Sequence, residues 1–246
     1  MRFSLFDPAT PSLDELAHRA RAAGIACVDV AAEWLGDVER TRGLLGGLAV
    51  GCVVAEGQAD AAALRRLVAQ AADLGAESVR LPVPGVAKGR SVAAVRAEFA
   101  ASVANLADEA AGRSLRLLVA SEGAFATAAS MWLLLELINH PAVGCSWELS
   151  AVEQAGERPA VAIPTLNSRI GRVVLPAVDP ASDNPMIGSL RLSAQRLRGI
   201  GHAGLVSIEL SGGPAEAATA LVRVVEEWTS PPKKPAAKPK PAAAKG

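Results

Sequence analysis

Short apolar runs alternate with polar loops and Ala-rich amphipathic stretches along nearly the whole chain. Eight runs have the period-2 or continuous Val/Leu/Ile character of buried parallel strands: Arg2–Phe6, Ala26–Val30, Leu48–Val54, Ser78–Pro82, Leu115–Ala120, Gly144–Glu148, Gly171–Leu175 and Leu205–Glu209. Between them the spacing becomes helical. Ser12 and Glu15 open the first helix as a capping box, with Leu13, Leu16, Ala17 and Ala20 on one face and Gly24 as its stop. Ala59–Leu74 ends at Gly75, Val92–Ala111 ends at Gly112, and Pro214–Trp228 is the last helix. Weaker helices are expected around Val38–Leu45 and Pro159–Asn167.

Strand–helix alternation of this kind implies right-handed crossovers and a single parallel (β/α)8 barrel over residues 1–229. An open doubly wound sheet is the alternative, but no G-x-G-x-x-G follows an early strand. The chain of 246 residues is 50% hydrophobic with four Phe, four Trp and no Tyr, so small aliphatic side chains must build the interior. Residues 230–246 are Pro/Lys/Ala low complexity with five Lys and no acid; they are expected to be a disordered tail. Without them, 20 basic residues face 25 acidic ones, and a body so charged is not an evident nucleic-acid binder. Any weak grip on nucleic acid would come through the tail.

Cys27, Cys52 and Cys145 stand alone in strand positions and read as small buried hydrophobes in a reducing compartment. No apolar run reaches the ~18–20 residues of a membrane span, and the first residues lack a secretion signal. A cytoplasmic location is the expectation.

Four stretches carry a family resemblance: Ala23–Val30 (AGIACVDV), Ala72–Arg80 (ADLGAESVR), His140–Glu148 (HPAVGCSWE) and Gly201–Glu209 (GHAGLVSIE). In this order and spacing they resemble the xylose-isomerase-like barrels, which include sugar phosphate isomerases and epimerases, hydroxypyruvate isomerase and endonuclease IV. The last stretch resembles the family's closing strand, which ends in Glu. The resemblance implies a site at the carboxyl ends of the strands, where metal-dependent members hold one divalent ion (Mn, Mg, Co or Zn). Their ligands are Glu, Asp or Glu, His and Glu on the fifth to eighth strands.

Carried over position by position, Glu148 and Glu209 match the sixth- and eighth-strand acids. The fifth-strand Glu falls on Ala120 and the seventh-strand His on Val174. Glu122, two residues past Ala120, shares its side-chain direction, so Glu122, Glu148 and Glu209 form the possible metal set. Without an ion, Asp29, Glu148 and Glu209 are expected to converge at the mouth and to need a neutralising cation. Arg80 and Arg172 are the candidates.

His18, His140 and His202 fall on a helix or at the barrel's amino-terminal side and are not expected to bind metal. Ser121 and Ser150 lack a paired His, and Lys88 and Arg90 lie in a loop that could cover the site. Three functions remain open. The first is a barrel with degenerate metal chemistry that keeps a pocket for a small sugar-like molecule. The second is an active isomerase or epimerase using Glu148 and Glu209 as acid and base, with substrate held by Asp29, Arg80, Glu122 and Arg172. The third is an interaction protein acting through its basic tail. Barrels of this kind often form homodimers, although no self-complementary patch is visible in the sequence.

Overall fold

Eight parallel strands close into one barrel in chain order. The structure, a computed structural model, describes residues 1–57 and 60–230. The strands are β1 (Arg2–Phe6), β2 (Cys27–Ala31), β3 (Ala49–Val54), β4 (Ser78–Leu81), β5 (Arg116–Ala120), β6 (Val143–Glu148), β7 (Ile170–Pro176) and β8 (Leu205–Glu209). The helices are α1 (Leu13–Ala22), α2 (Val38–Leu45), α3 (Ala61–Leu74), α4 (Val92–Gly112), α5 (Ala128–Ile138), α6 (Leu149–Gln154), α7 (Pro159–Leu166), α8 (Met186–Gly199) and α9 (Ala215–Thr229). Each expected strand is present within a residue or two. Helices α5 and α8, to which the sequence assigned no bounds, complete the ring. The expected tail, residues 230–246, lies outside the described residues apart from Ser230.

Period-2 alternation sorts the strand side chains into two environments. Val28, Val30, Val53, Val79, Leu117, Val119, Trp147, Val173, Leu175, Val206 and Ile208 point outward and are wholly or almost wholly buried in the main core with the helices. The alternate positions face the lumen, where Phe6, Cys52, Val54 and Leu205 form a small separate apolar cluster. Leu118, Ala120 and Val174 are further apolar lumen positions, but many of the rest are polar: Ser4, Asp29, Ser78, Arg80, Ser146, Arg172 and Ser207 are all buried. Ser4 lies in register with Ser207, and Ser146 with Arg172. This buried polar layer is the floor of the site.

Two glycines make room at the amino-terminal end of the lumen. A Cβ on Gly144 would stand 2.7 Å from the Arg169 carbonyl oxygen and 2.8 Å from Arg116 Nη2, and one on Gly171 would stand 2.4 Å from Leu118 Cδ2.

The local signals behave mostly as expected. Ser12 Oγ accepts from the Glu15 N–H, but the Glu15 carboxylate turns to Arg19 (3.1 Å) instead of closing a reciprocal capping box. Gly75 ends α3 in the left-handed region. Gly112 does not do this for α4: the helix runs through it, and the left-handed turn falls on Ser114 (φ 59°). On the outer surface, Trp132, Leu133 and Leu137 of α5 and Val161 of α7 remain exposed, an apolar face that the sequence alone did not mark out. None of the described helices is long and apolar enough to cross a membrane.

Candidate functional site

Arg80, on β4, has its guanidinium at the carboxyl-terminal mouth of the barrel. Its Nε donates to Glu148 Oε1 at 2.7 Å and its Nη2 to Glu148 Oε2 at 3.2 Å, a two-pronged pairing. Nη2 also donates to Glu122 Oε2 at 3.0 Å. Burial works to lower the Arg80 pKa, but Glu148 and then Glu122 outweigh it and raise it. Glu148 ends β6 and is fixed from two further directions. Its N–H donates to Ser121 Oγ (2.8 Å), and the Ser146 hydroxyl donates to its Oε1 (3.3 Å).

Below this pair lies a second one. Arg172 on β7 spans the lumen to Asp29 on β2, with Nη2 2.6 Å and Nε 2.9 Å from Asp29 Oδ2. Arg172 Nε also donates to Ser207 Oγ (2.8 Å) and Nη1 to Ser146 Oγ (3.2 Å), while Ser207 donates to Asp29 Oδ2. The guanidinium carbon stands 5.7 Å from the centroid of the Phe6 ring. Asp29 Oδ1 is buried and finds no partner among the described residues. Here too burial opposes the charge, and Asp29 more than offsets it, so the Arg172 pKa is raised.

Glu209, the last residue of β8, is held differently. It accepts from the Ser211 hydroxyl at 2.9 Å and has no cationic partner among the described residues. Ser211 sits in a loop pinned by Asp7, which follows β1. Asp7 Oδ1 accepts from the Gly212 N–H (2.9 Å), and Arg19 bridges Asp7 Oδ2 (2.7 Å) and the Gly213 carbonyl (3.0 Å). Asp7, Arg19 and Ser211 belong to no motif in the sequence. The signal the sequence offers for them is an acid directly after the first strand, at the same end of the barrel as Glu209.

These groups surround a pocket of about 170 Å³ lined by Phe6, Pro8, Val54, Glu56, Arg80, Glu148, Arg172, Val174 and Glu209. Glu56, two residues past β3, was not foreseen. A larger cleft of about 400 Å³ lies outside the barrel beside α3 and α4. Its lining is mainly apolar, with Arg65 the one charged residue among the described residues there.

Of the residues singled out from the sequence, Arg80, Glu148, Arg172 and Glu209 line the mouth pocket. Asp29 does not. It is wholly buried a layer below, because Arg172 reaches down to it, so the expected convergence of Asp29, Glu148 and Glu209 is not formed. Glu122 is also off the lining, held by Arg80 Nη2. Among the described residues no three His, Cys, Asp or Glu side chains are grouped as metal ligands. Val174 is buried apolar lining and Ala120 is wholly buried.

The other candidates lie elsewhere. His18 is exposed, and His140 bonds Asp108 (3.2 Å) and the Ala142 N–H (3.1 Å). His202 lies in the turn entering β8, with its pKa lowered chiefly by burial. Arg90 pairs with Glu98 on α4. Cys52 and Cys27 are pushed up to about 11 and about 12, mainly by burial, and all three cysteines are free thiols.

The chain superimposes on a D-psicose 3-epimerase crystallised in the presence of D-fructose with a TM-score of 0.75 at 13% identity, covering 93% of this chain and 99% of that one. The two chains share a fold. An L-ribulose 3-epimerase gives a TM-score of 0.76 at 16% identity, covering 96% of this chain and 100% of the other. A xylose isomerase domain protein from Alicyclobacillus acidocaldarius subsp. acidocaldarius gives 0.70 at 19%, covering 93% and 98%. At these identities the likeness concerns the fold. No family model and no curated protein matches the sequence.

Proposed function

We propose that the barrel mouth binds a small polyhydroxylated, sugar-like molecule without a divalent metal, and that Arg80 organises the site. The observation that carries this reading is the Arg80 guanidinium held between Glu148 and Glu122 beside a pocket of about 170 Å³. That volume is below the usual range for drug-sized ligands and suits a monosaccharide or a shorter polyol. Carboxylates and guanidiniums fixed in place bond to hydroxyls as acceptors and donors, and Phe6, Val54 and Val174 offer apolar surface to the carbon skeleton. Structures with this fold include a D-psicose 3-epimerase with D-tagatose and a D-allulose 3-epimerase in complex with D-allulose, which supports a monosaccharide-sized ligand here.

The lining does not suit a divalent ion. Val174 and Ala120 stand where the resemblance implies an imidazole and a carboxylate. Glu148, one of the two matching acids, has both oxygens engaged by a guanidinium. A cation would have to displace that arginine, so no step is routed through a metal.

A second reading is an isomerase or epimerase working by proton transfer. It is favoured by Glu209, which makes one hydroxyl contact and faces the pocket. Glu209 would move the proton, while Arg80 would stabilise charge developing on a substrate oxygen.

Ligand-observed NMR against a panel of ketoses, aldoses and polyols tests the first reading. Saturation transfer from at least one compound, abolished in Arg80→Gln, is expected. A panel-wide absence of signal would overturn it. Epimerisation or isomerisation of the bound compound, lost in Glu209→Gln, would establish the second reading.

A further inference from the structure

We propose that the mouth selects a polyol carrying a protonated amine over its neutral and phosphorylated counterparts. This rests on the reading of the mouth as a polyol site and names the class of ligand it takes. Around the pocket and its floor stand five carboxylates, Asp29, Glu56, Glu122, Glu148 and Glu209, against two guanidiniums, Arg80 and Arg172. Both guanidiniums are already matched. Arg172 is paired with Asp29, and Arg80 is shared by Glu148 and Glu122. Glu209 and Glu56 line the cavity with no cationic partner among the described residues. The pocket therefore carries an excess of negative charge on its β8 and β3 sides, with Glu209 half-buried and Glu56 exposed to solvent.

The donor inventory points the same way. Arg80 directs Nε and Nη2 at carboxylates and Nη1 at the Ala55 carbonyl (3.4 Å). Arg172 directs Nε and Nη2 at Asp29 and Nη1 at Ser146. Few guanidinium hydrogens are left to cradle a phosphate, whose negative charge would also face Glu209 and Glu56. An ammonium does the reverse: it supplies three donors and a positive charge to the two carboxylates that lack one. The ligand's hydroxyls would then face Arg80 and Glu148 across the pocket.

Calorimetric titration with 1-amino-1-deoxy-D-fructose, D-fructose and D-fructose 1-phosphate at pH 7 tests this directly. The amine is expected to bind at least tenfold tighter than D-fructose, and the phosphate at least tenfold weaker. The amine's advantage should shrink severalfold between low and 0.5 M salt, as screening requires. It should also shrink in Glu209→Gln and in Glu56→Gln, the folding of each variant being checked by its melting curve. D-fructose binding as tightly as the amine, or the phosphate binding tightest, would overturn the inference and leave the polyol reading standing. Binding of none of the three would also overturn the inference, whereas the polyol reading falls only if the whole panel of ketoses, aldoses and polyols is silent.

Discussion

Arg172 and Asp29 form an ion pair that is almost entirely shut off from solvent, with side-chain exposures of 1% and 0% and Nη2 2.6 Å from Oδ2. The pair joins β7 to β2 across the lumen, and Ser146 and Ser207 complete it. A buried pair gains little over apolar residues of the same volume, yet removing one partner strands the other charge. Arg172→Met is therefore expected to cost about 3–5 kcal/mol in urea unfolding, whereas the double variant Asp29→Leu/Arg172→Met recovers most of that loss. A single variant within about 1 kcal/mol of the parent would show that the pair does not hold the lumen together.

Arg80 acts nearer the surface, with side-chain exposures of 11% for itself and 17% for Glu148. Arg80→Met removes charge-assisted hydrogen bonds from two carboxylates, so a loss of about 1.5–3 kcal/mol is expected by the same unfolding assay. Ligand affinity at the mouth should fall at least tenfold alongside it. Retained affinity in a folded Arg80→Met protein would mean that Arg80 is filler and not part of the recognition surface.

Packing at the amino-terminal end makes a separate prediction. Gly144→Ala pushes a methyl to 2.7 Å from the Arg169 carbonyl oxygen, a backbone atom with little freedom to retreat. A loss of about 1–3 kcal/mol is expected. Gly188 lies in α8, and a methyl added there would meet nothing within 4 Å, so Gly188→Ala should be neutral or stabilising by up to about 1 kcal/mol. Thermal melts of the two variants, read side by side, decide the point.

His202 links stability to pH. Burial lowers its pKa, and its Nε2 is buried without a partner among the described residues. The unfolded imidazole titrates near 6.5, so on acidification the unfolded state takes up the proton first. Stability contributed by the neutral form is thus full above pH ~6.5 and is lost as the pH falls through that value towards the lower folded pKa. His202→Gln should flatten the stability profile between pH ~7 and ~5. An unchanged slope would place the acid sensitivity elsewhere.

The barrel was legible because eight aliphatic runs of strand length recur between amphipathic segments, and the periods differ sharply. Helix α5 was harder to bound because apolar side chains surround it: Trp132, Leu133 and Leu137 are exposed while Met131, Leu134 and Leu135 are buried. At the site, alternation placed Arg80, Glu148, Arg172 and Glu209 on the lumen side, but it does not say how far a long side chain leans. Arg172 could reach up to the mouth or down into the lumen, and it pairs with the buried Asp29. Glu122 similarly shares direction with Ala120 but lies past the strand end, where it meets Arg80 from the side. Glu56 and Ser211 lie in loops whose course no periodicity dictates.

A polyol site that needs no divalent ion is tested most directly by one titration performed twice. The best-binding ketose from the NMR panel is titrated calorimetrically into the protein in excess chelator, and again with millimolar Mn²⁺ in place of chelator. Equal affinity in both, lost in Arg80→Gln, is the predicted result. Binding seen only with Mn²⁺, and lost in Glu148→Gln or Glu209→Gln, would contradict it and return the mouth to metal-dependent chemistry.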